Sequence, residues 1–247
     1  MIALTDNIGM TDAELTTQFI ASMPPAYAQA FDRRDAEEHA RIVAERGSSV
    51  AQVVVWRTLP QGVAILCVVA DDRPGLVAQV SAAFLAHALD VRSAQIYCRD
   101  LGGGEVEAVD FFWLRSVSSG APLAAAQLDA CARTIRELLA VDAESPELVE
   151  HAAAGDAGAR VSYVPDPSAP DRYEVTLEAR DFPGLLHTVA RLMHQHGLEV
   201  SRCEIRTEEG IARDRFWVTS FTGEPPVEQL QGFRAALLGV ITAIHKS

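Results

Sequence analysis

Asp71-Asp72-Arg73-Pro74-Gly75-Leu76 closes one apolar run, and Arg180-Asp181-Phe182-Pro183-Gly184-Leu185 closes another. Asp72 and Asp181, Pro74 and Pro183, Gly75 and Gly184, and Leu76 and Leu185 all stand 109 residues apart. The same offset pairs Val91 with Val200 and Ile96 with Ile205, so the repeat is a whole domain and not a short motif. Past Ile96 the offset falls to 104, matching Asp110-Phe111-Phe112-Trp113 to Asp214-Arg215-Phe216-Trp217. The first copy's hairpin is therefore predicted to be five residues longer.

Within the second copy, Tyr173, Val175, Leu177 and Ala179 alternate with polar neighbours, the period of a half-buried strand. Helical spacing follows: Leu185, Val189, Leu192 and Met193 share one face, and Gly197 stands where a helix C′ residue is wanted. The order of elements predicts an α+β fold of two ferredoxin-like, βαββαβ-type modules in tandem, each taking one strand from before its turn instead of after it. The expected divisions are a helical arm over residues 1–48, a first module over 49–140, a linker over 141–158 and a second module over 159–247. Thr134 and Leu139 fall in the helix that closes the first module, and the small and acidic residues after Val141 suit a surface linker. In the arm, Asp35-Ala36-Glu37-Glu38 predicts a capping box with Gly47 closing the helix.

The two copies disagree on the sheet face away from the helices. Val63, Ile65, Cys67 and Val69 correspond to Arg172, Glu174, Thr176 and Glu178, and Phe111 corresponds to Arg215. An apolar face of that size demands a cover. The amphipathic arm, residues 15–43, is the first candidate, and the same face of another chain the second.

A formal net charge of −13 argues against nucleic acid or an anionic membrane as partner. Met1-Ile2-Ala3-Leu4-Thr5-Asp6 lacks the basic start of a signal peptide, and no apolar run approaches spanning length, so a cytoplasmic location is expected. Cys67, Cys98, Cys131 and Cys203 form no C-x-x-C pair and read as small core residues, Cys98 and Cys203 on the helix-facing side of their strands. His187, His194 and His196 do not converge as metal ligands, and they read as surface or helix-edge histidines; His39 belongs to a charged helix and needs no role. No metal site and no cofactor is expected.

The Asp-Arg-Pro-Gly-Leu turn after a strand, with Val91-Arg92-Ser93-Ala94-Gln95-Ile96 and the Asp-x-Phe-Trp strand following, resembles the ACT domain, a small-molecule-sensing module. As a tandem pair over roughly residues 50–247 it is similar to the C-terminal regulatory portion of the bifunctional uridylyltransferase family that modifies the PII nitrogen-signalling protein. Phe19-Ile20-Ala21-Ser22-Met23-Pro24-Pro25-Ala26-Tyr27 and Glu38-His39-Ala40-Arg41 resemble the segment joining that family's catalytic half to its ACT pair. The resemblance implies a free amino acid as ligand, glutamine first, and either a protein partner or a homo-oligomer formed through ACT sheets. Gly47-Ser48 is not followed by paired Asp-x-Asp carboxylates and no His-Asp dipeptide occurs, so the chain is expected to be no enzyme. The alternative is a regulatory domain working beside a separate catalytic partner.

The expected ligand-binding residues are Asp72, Arg73, Pro74, Gly75 and Leu76 with Ser93, and Asp181, Phe182, Pro183, Gly184 and Leu185 with Arg202. Proline presets the helix start, glycine admits a ligand to the backbone, and the helix N-terminus attracts a carboxylate. Asp72 or Asp181 meets a ligand's ammonium, or else caps a helix or solubilises a loop. Pro-Gly turns also open many helices with nothing bound. Ser93 and Arg202 stand near the start of the second strand, which is expected to face the neighbouring module's turn, and Arg202 pairs a carboxylate there or decorates an exposed edge. Arg73 against Phe182 makes the two sites chemically unequal.

Overall fold

The computed structural model describes residues 10–117, 122–141 and 158–244. Most of the expected linker, residues 142–157, and the segment from Met1 to Asp6 lie outside the described residues. The arm supplies α1 (Asp12–Ser22), α2 (Tyr27–Ala30) and α3 (Arg33–Arg46). The first module follows as β1 (Ala51–Leu59), β2 (Val63–Asp71), α4 (Leu76–Ala86), β3 (Leu89–Gly102), β4 (Glu105–Ser116) and α5 (Ala125–Ala140). The second is β5 (Arg160–Pro165), β6 (Tyr173–Arg180), α6 (Leu185–Gln195), β7 (Leu198–Glu208), β8 (Ile211–Ser220) and α7 (Val227–Ile244).

All eight strands form one antiparallel sheet in the order β1-β2-β4-β3-β7-β8-β6-β5. Each module thus has the expected α+β, ferredoxin-like arrangement, with β1 or β5 in the place of the strand taken from before the turn. The longer hairpin of the first copy is present: β3 has 14 residues where β7 has 11. The modules meet where β3 and β7 pair antiparallel, from Ser93 opposite Arg206 to Tyr97 opposite Arg202. Above that seam α4 packs on α6. Ala94, Ile96, Cys203 and Ile205 join Phe84, Met193 and Leu186 in a single core shared by both modules. Cys203 is buried on the helix-facing side, as its parity with Ile205 predicts.

The other face of the first module carries a second core. Phe19, Met23, Tyr27, Phe31 and Ile42 of the arm lie on Ile65, Cys67, Val69, Val109 and Phe111 of the sheet, so the arm is the cover that the apolar face requires. Burying a side chain such as Phe111 contributes about 2–3 kcal/mol. An ion-pair cluster fastens the end of the arm: buried Arg46 reaches Glu107 at 2.5 Å and Asp71 at 2.6 Å, and Arg99 reaches Glu107 at 2.6 Å. The N-cap of α3 is Asp32, three residues earlier than expected, and Asp35 is the third residue of its capping box. Gly47 closes the helix at φ +52°.

His39, although it belongs to a charged helix, does not face solvent. It is fully buried (0% exposed), its Nδ1 lies 2.7 Å from the Tyr27 hydroxyl, and its ring packs on Trp56 and Phe111. Arg34, Glu37 and Glu45 keep the helix charged in sequence, but position 39 lies on the stripe that faces the sheet together with Ala36 and Ala40. No helix among the described residues is long and apolar enough to cross a membrane.

Candidate functional site

Each Pro-Gly turn is a type II turn. Leu76 N–H bonds the Arg73 carbonyl at 3.2 Å and Leu185 N–H the Phe182 carbonyl at 3.1 Å. The residue after proline must then take positive φ, and Gly75 (φ +82°, ψ 1°) and Gly184 (φ +88°, ψ 7°) do so. Both glycines are N-cap residues with no side-chain cap bond, so neither Asp72 nor Asp181 caps its helix. Asp72 is instead held by hydrogen bonds from Cys98 and the Arg73 amide, and Asp181 by one from Thr207. Cys98 and Thr207 occupy equivalent positions, 109 residues apart.

Two pockets result, and each is built from both modules. Asp72, Arg73, Gly75 and Leu76 face His194, Leu198, Glu199 and Val200 of the second module. Asp181, Phe182, Gly184 and Leu185 face Leu85, Leu89, Asp90 and Val91 of the first. His194 is the repeat equivalent of Leu85, and Glu199 that of Asp90, so the two walls correspond. Pro74 and Pro183 line neither pocket.

Ser93 and Arg202 line neither of these two pockets. A bulge between Val91 and Ser93, matched by one between Val200 and Arg202, flips the alternation of β3 and β7. Ser93 lines a separate cleft of about 630 Å³ with Trp113 and Arg115. Arg202 stacks 4.1 Å above the Trp217 ring and pairs with Glu204 on the outer face. The strand positions that reach the turns are Asp90 and Glu199, each three residues earlier.

Carboxylates dominate both pockets. Burial raises the pKa of Asp72, Asp181 and Glu199, and the Asp72 charge pushes Glu199 further up. On the floor, Asp110 of β4 is driven well above the ordinary range by burial and by Asp72, and burial lifts Asp214 of β8 to about 8. A cation from the neighbouring cleft reaches two acids of the second turn's pocket: Arg115 lies 2.7 Å from Asp90 and 4.0 Å from Asp181. Its repeat equivalent is Thr219, so chemical inequality extends beyond Arg73 and Phe182. His187, expected at the surface, is 2% exposed and bonds the Ala78 carbonyl across the module seam at 3.1 Å. His194 is half-buried against the Gly75 turn. No cluster of three potential metal ligands occurs among the described residues. Each pocket encloses about 20 Å³, room for roughly one water.

Over 232 residues the chain is 28% identical to the bifunctional uridylyltransferase/uridylyl-removing enzyme of Gluconobacter oxydans. That match takes in 89% of this chain and 24% of the enzyme. A second similarity, 42% identity over 57 residues, joins 23% of the chain to 13% of the ACT domain-containing protein ACR6 of Arabidopsis thaliana. The chain is a tandem pair of ACT-like modules. It spans about a quarter of the length of the uridylyltransferases it matches. No protein-family model matches it. Among solved structures, aspartate kinase from Synechocystis overlays with a TM-score of 0.43 at 12% identity, covering 73% of this chain and 27% of that one. For the ACT-like pair, the 109-residue offset could have located the opposed walls, because each turn has a partner strand only in the other copy.

Proposed function

We propose that this ACT-like pair is a regulatory unit that binds a free amino acid, glutamine first, at the two pockets between its modules, within nitrogen or amino-acid regulation. The observation that carries the reading is the doubled pocket: both Pro-Gly turns meet the same elements of the opposite repeat. First-turn amides of α4 and α6 suit a ligand's carboxylate. The acidic walls suit its ammonium. Entry requires movement, since about 20 Å³ holds no amino acid, and the side chains that must swing are Leu85 in one pocket and His194 in the other.

Calorimetry with the twenty standard amino acids tests it. A side-chain amide brings a donor as well as an acceptor, so glutamine should bind about tenfold or more tighter than glutamate against these carboxylates. Absence of heat from every amino acid overturns the reading.

A second reading, a regulatory region acting with a catalytic partner, is supported by similarity along 89% of the chain to a quarter of a uridylyltransferase. On either reading the chain needs no cofactor, works in the cytoplasm and signals to a protein partner or a second copy. The purified chain should turn over neither uridylyl transfer nor uridylyl removal.

A further inference from the structure

Two buried carboxyl groups stand in the pocket floors. Asp110 is 0% exposed, lines the pocket of the first turn, and neither of its oxygens has a hydrogen-bonding partner at normal geometry. Its influences are burial, the Asp72 charge and, smallest, the Tyr97 amide, and only the last favours ionisation. Asp214 is 1% exposed, lines the pocket of the second turn, and accepts one long bond, 3.4 Å, from the Arg206 amide. In the first pocket a further polar atom is orphaned: Nδ1 of His194, which rests on Gly75. A buried acid without partners lowers stability relative to an apolar residue in the same place. That such an acid occupies the same register in both repeats, always beneath a turn, points to use by something that enters the pocket.

We propose that Asp110 and Asp214 anchor the ligand's ammonium group while its carboxylate takes the helix amides at the turn, so that the pockets accept amine-bearing zwitterions and reject the matching 2-oxo acids and N-acetyl amino acids. This rests on the amino-acid reading above. In the empty pocket burial and the Asp72 charge favour the protonated form of the floor carboxyl Asp110; Asp72, Glu199, Arg73 and His194 line the same pocket, with the Cys98 and Cys203 thiols near it. Asp214 faces Asp181, whose charge is shared with Asp90, Arg92 and Arg115. When the ammonium docks, the carboxyl ionises to form the ion pair. Its proton leaves to solvent and the ligand keeps all of its own, so one proton is released per occupied site.

The experiment is calorimetry at pH 7 with the tightest-binding of the twenty standard amino acids, its 2-oxo and N-acetyl analogues, and two buffers of different ionisation enthalpy. The wild-type chain should show heats that differ between buffers by about one proton per site and no binding of either analogue. Asp110→Asn and Asp214→Asn should each weaken one site about thirtyfold or more, abolish its proton release, and raise the thermal midpoint. Unchanged affinity and proton release in both variants, or equal binding of the N-acetyl analogue by the wild type, overturns the floor carboxyls' role and leaves the amino-acid reading standing. No binding by the wild type overturns both. Discrimination against the analogues is read on the wild type, so it decides the matter even where a variant fails to fold.

Discussion

A Cβ on Gly75 would lie 3.0 Å from the His194 ring, and one on Gly184 would lie 3.3 Å from Leu85. Both glycines also hold positive φ, which costs an L-residue about 1–2 kcal/mol. Gly75→Val and Gly184→Val should each destabilise the chain by roughly 2 kcal/mol and remove one amino-acid site while the other persists. Thermal unfolding and calorimetry on the two variants check both parts. His39 supports a prediction in pH. Burial, with the Arg57 charge second, lowers its pKa to about 3, whereas unfolded it titrates near 6.5. Between those values the unfolded chain binds the extra proton, so stability is full above pH 6.5 and falls toward pH 3 by at most about 1.4 kcal/mol per pH unit. Urea midpoints measured from pH 7 to 4 should drop in the wild type and drop less in His39→Gln. At this scale the turn itself was legible, because Pro-Gly after a strand has few conformations. Ser93 and Arg202 were not, since a bulge that reverses a strand's two faces leaves no mark in the alternation on either side of it.

The arm was legible as an element through the mismatch it repairs. Ile65, Cys67 and Val69 are apolar where Glu174, Thr176 and Glu178 are charged or polar, and α1 to α3 carry the matching stripe. Its N-cap was displaced because Asp32 and Asp35 are both competent caps three residues apart, and what decides between them is which face of α3 meets the sheet. Deleting residues 1–46 should strip Phe31 and Tyr27 from Phe111 and Tyr97, and take Arg46 from Glu107, leaving that buried carboxylate with Arg99 as its one cation. The truncated chain should aggregate or change its assembly state, read by light scattering and sedimentation. A soluble product of unchanged mass and stability overturns this account of the arm. Trp56, which donates to Glu38 at 2.7 Å, supplies a fluorescence marker for loss of the contact.

At the scale of the molecule, the repeat announced two modules, and the expectation that a turn meets its neighbour's second strand agrees with their side-by-side placement. What the repeat could not give is the seam. Ser93 to Tyr97 read as a strand equally well at an edge or in the middle of a sheet, and only pairing with β7 makes them central. Gln95 lies between Phe111 on β4 and Glu204 on β7. Gln95→Pro removes a ladder donor at that point. It should abolish both amino-acid sites together, in contrast to the glycine variants, with calorimetry as the readout and circular dichroism reporting how much sheet remains.

The crossed construction of the pockets also governs how such a chain can diverge. Duplication ordinarily frees one copy to drift while the other keeps the job, but here Asp72 is answered by Glu199 and Asp181 by Asp90, each across the seam. A change in one repeat therefore has its natural compensating position in the other, and not at its own counterpart 109 residues away. Neither copy can be retired. Each is the missing half of its twin, and the two are constrained to evolve as one lineage of paired halves instead of two lineages of spare wholes.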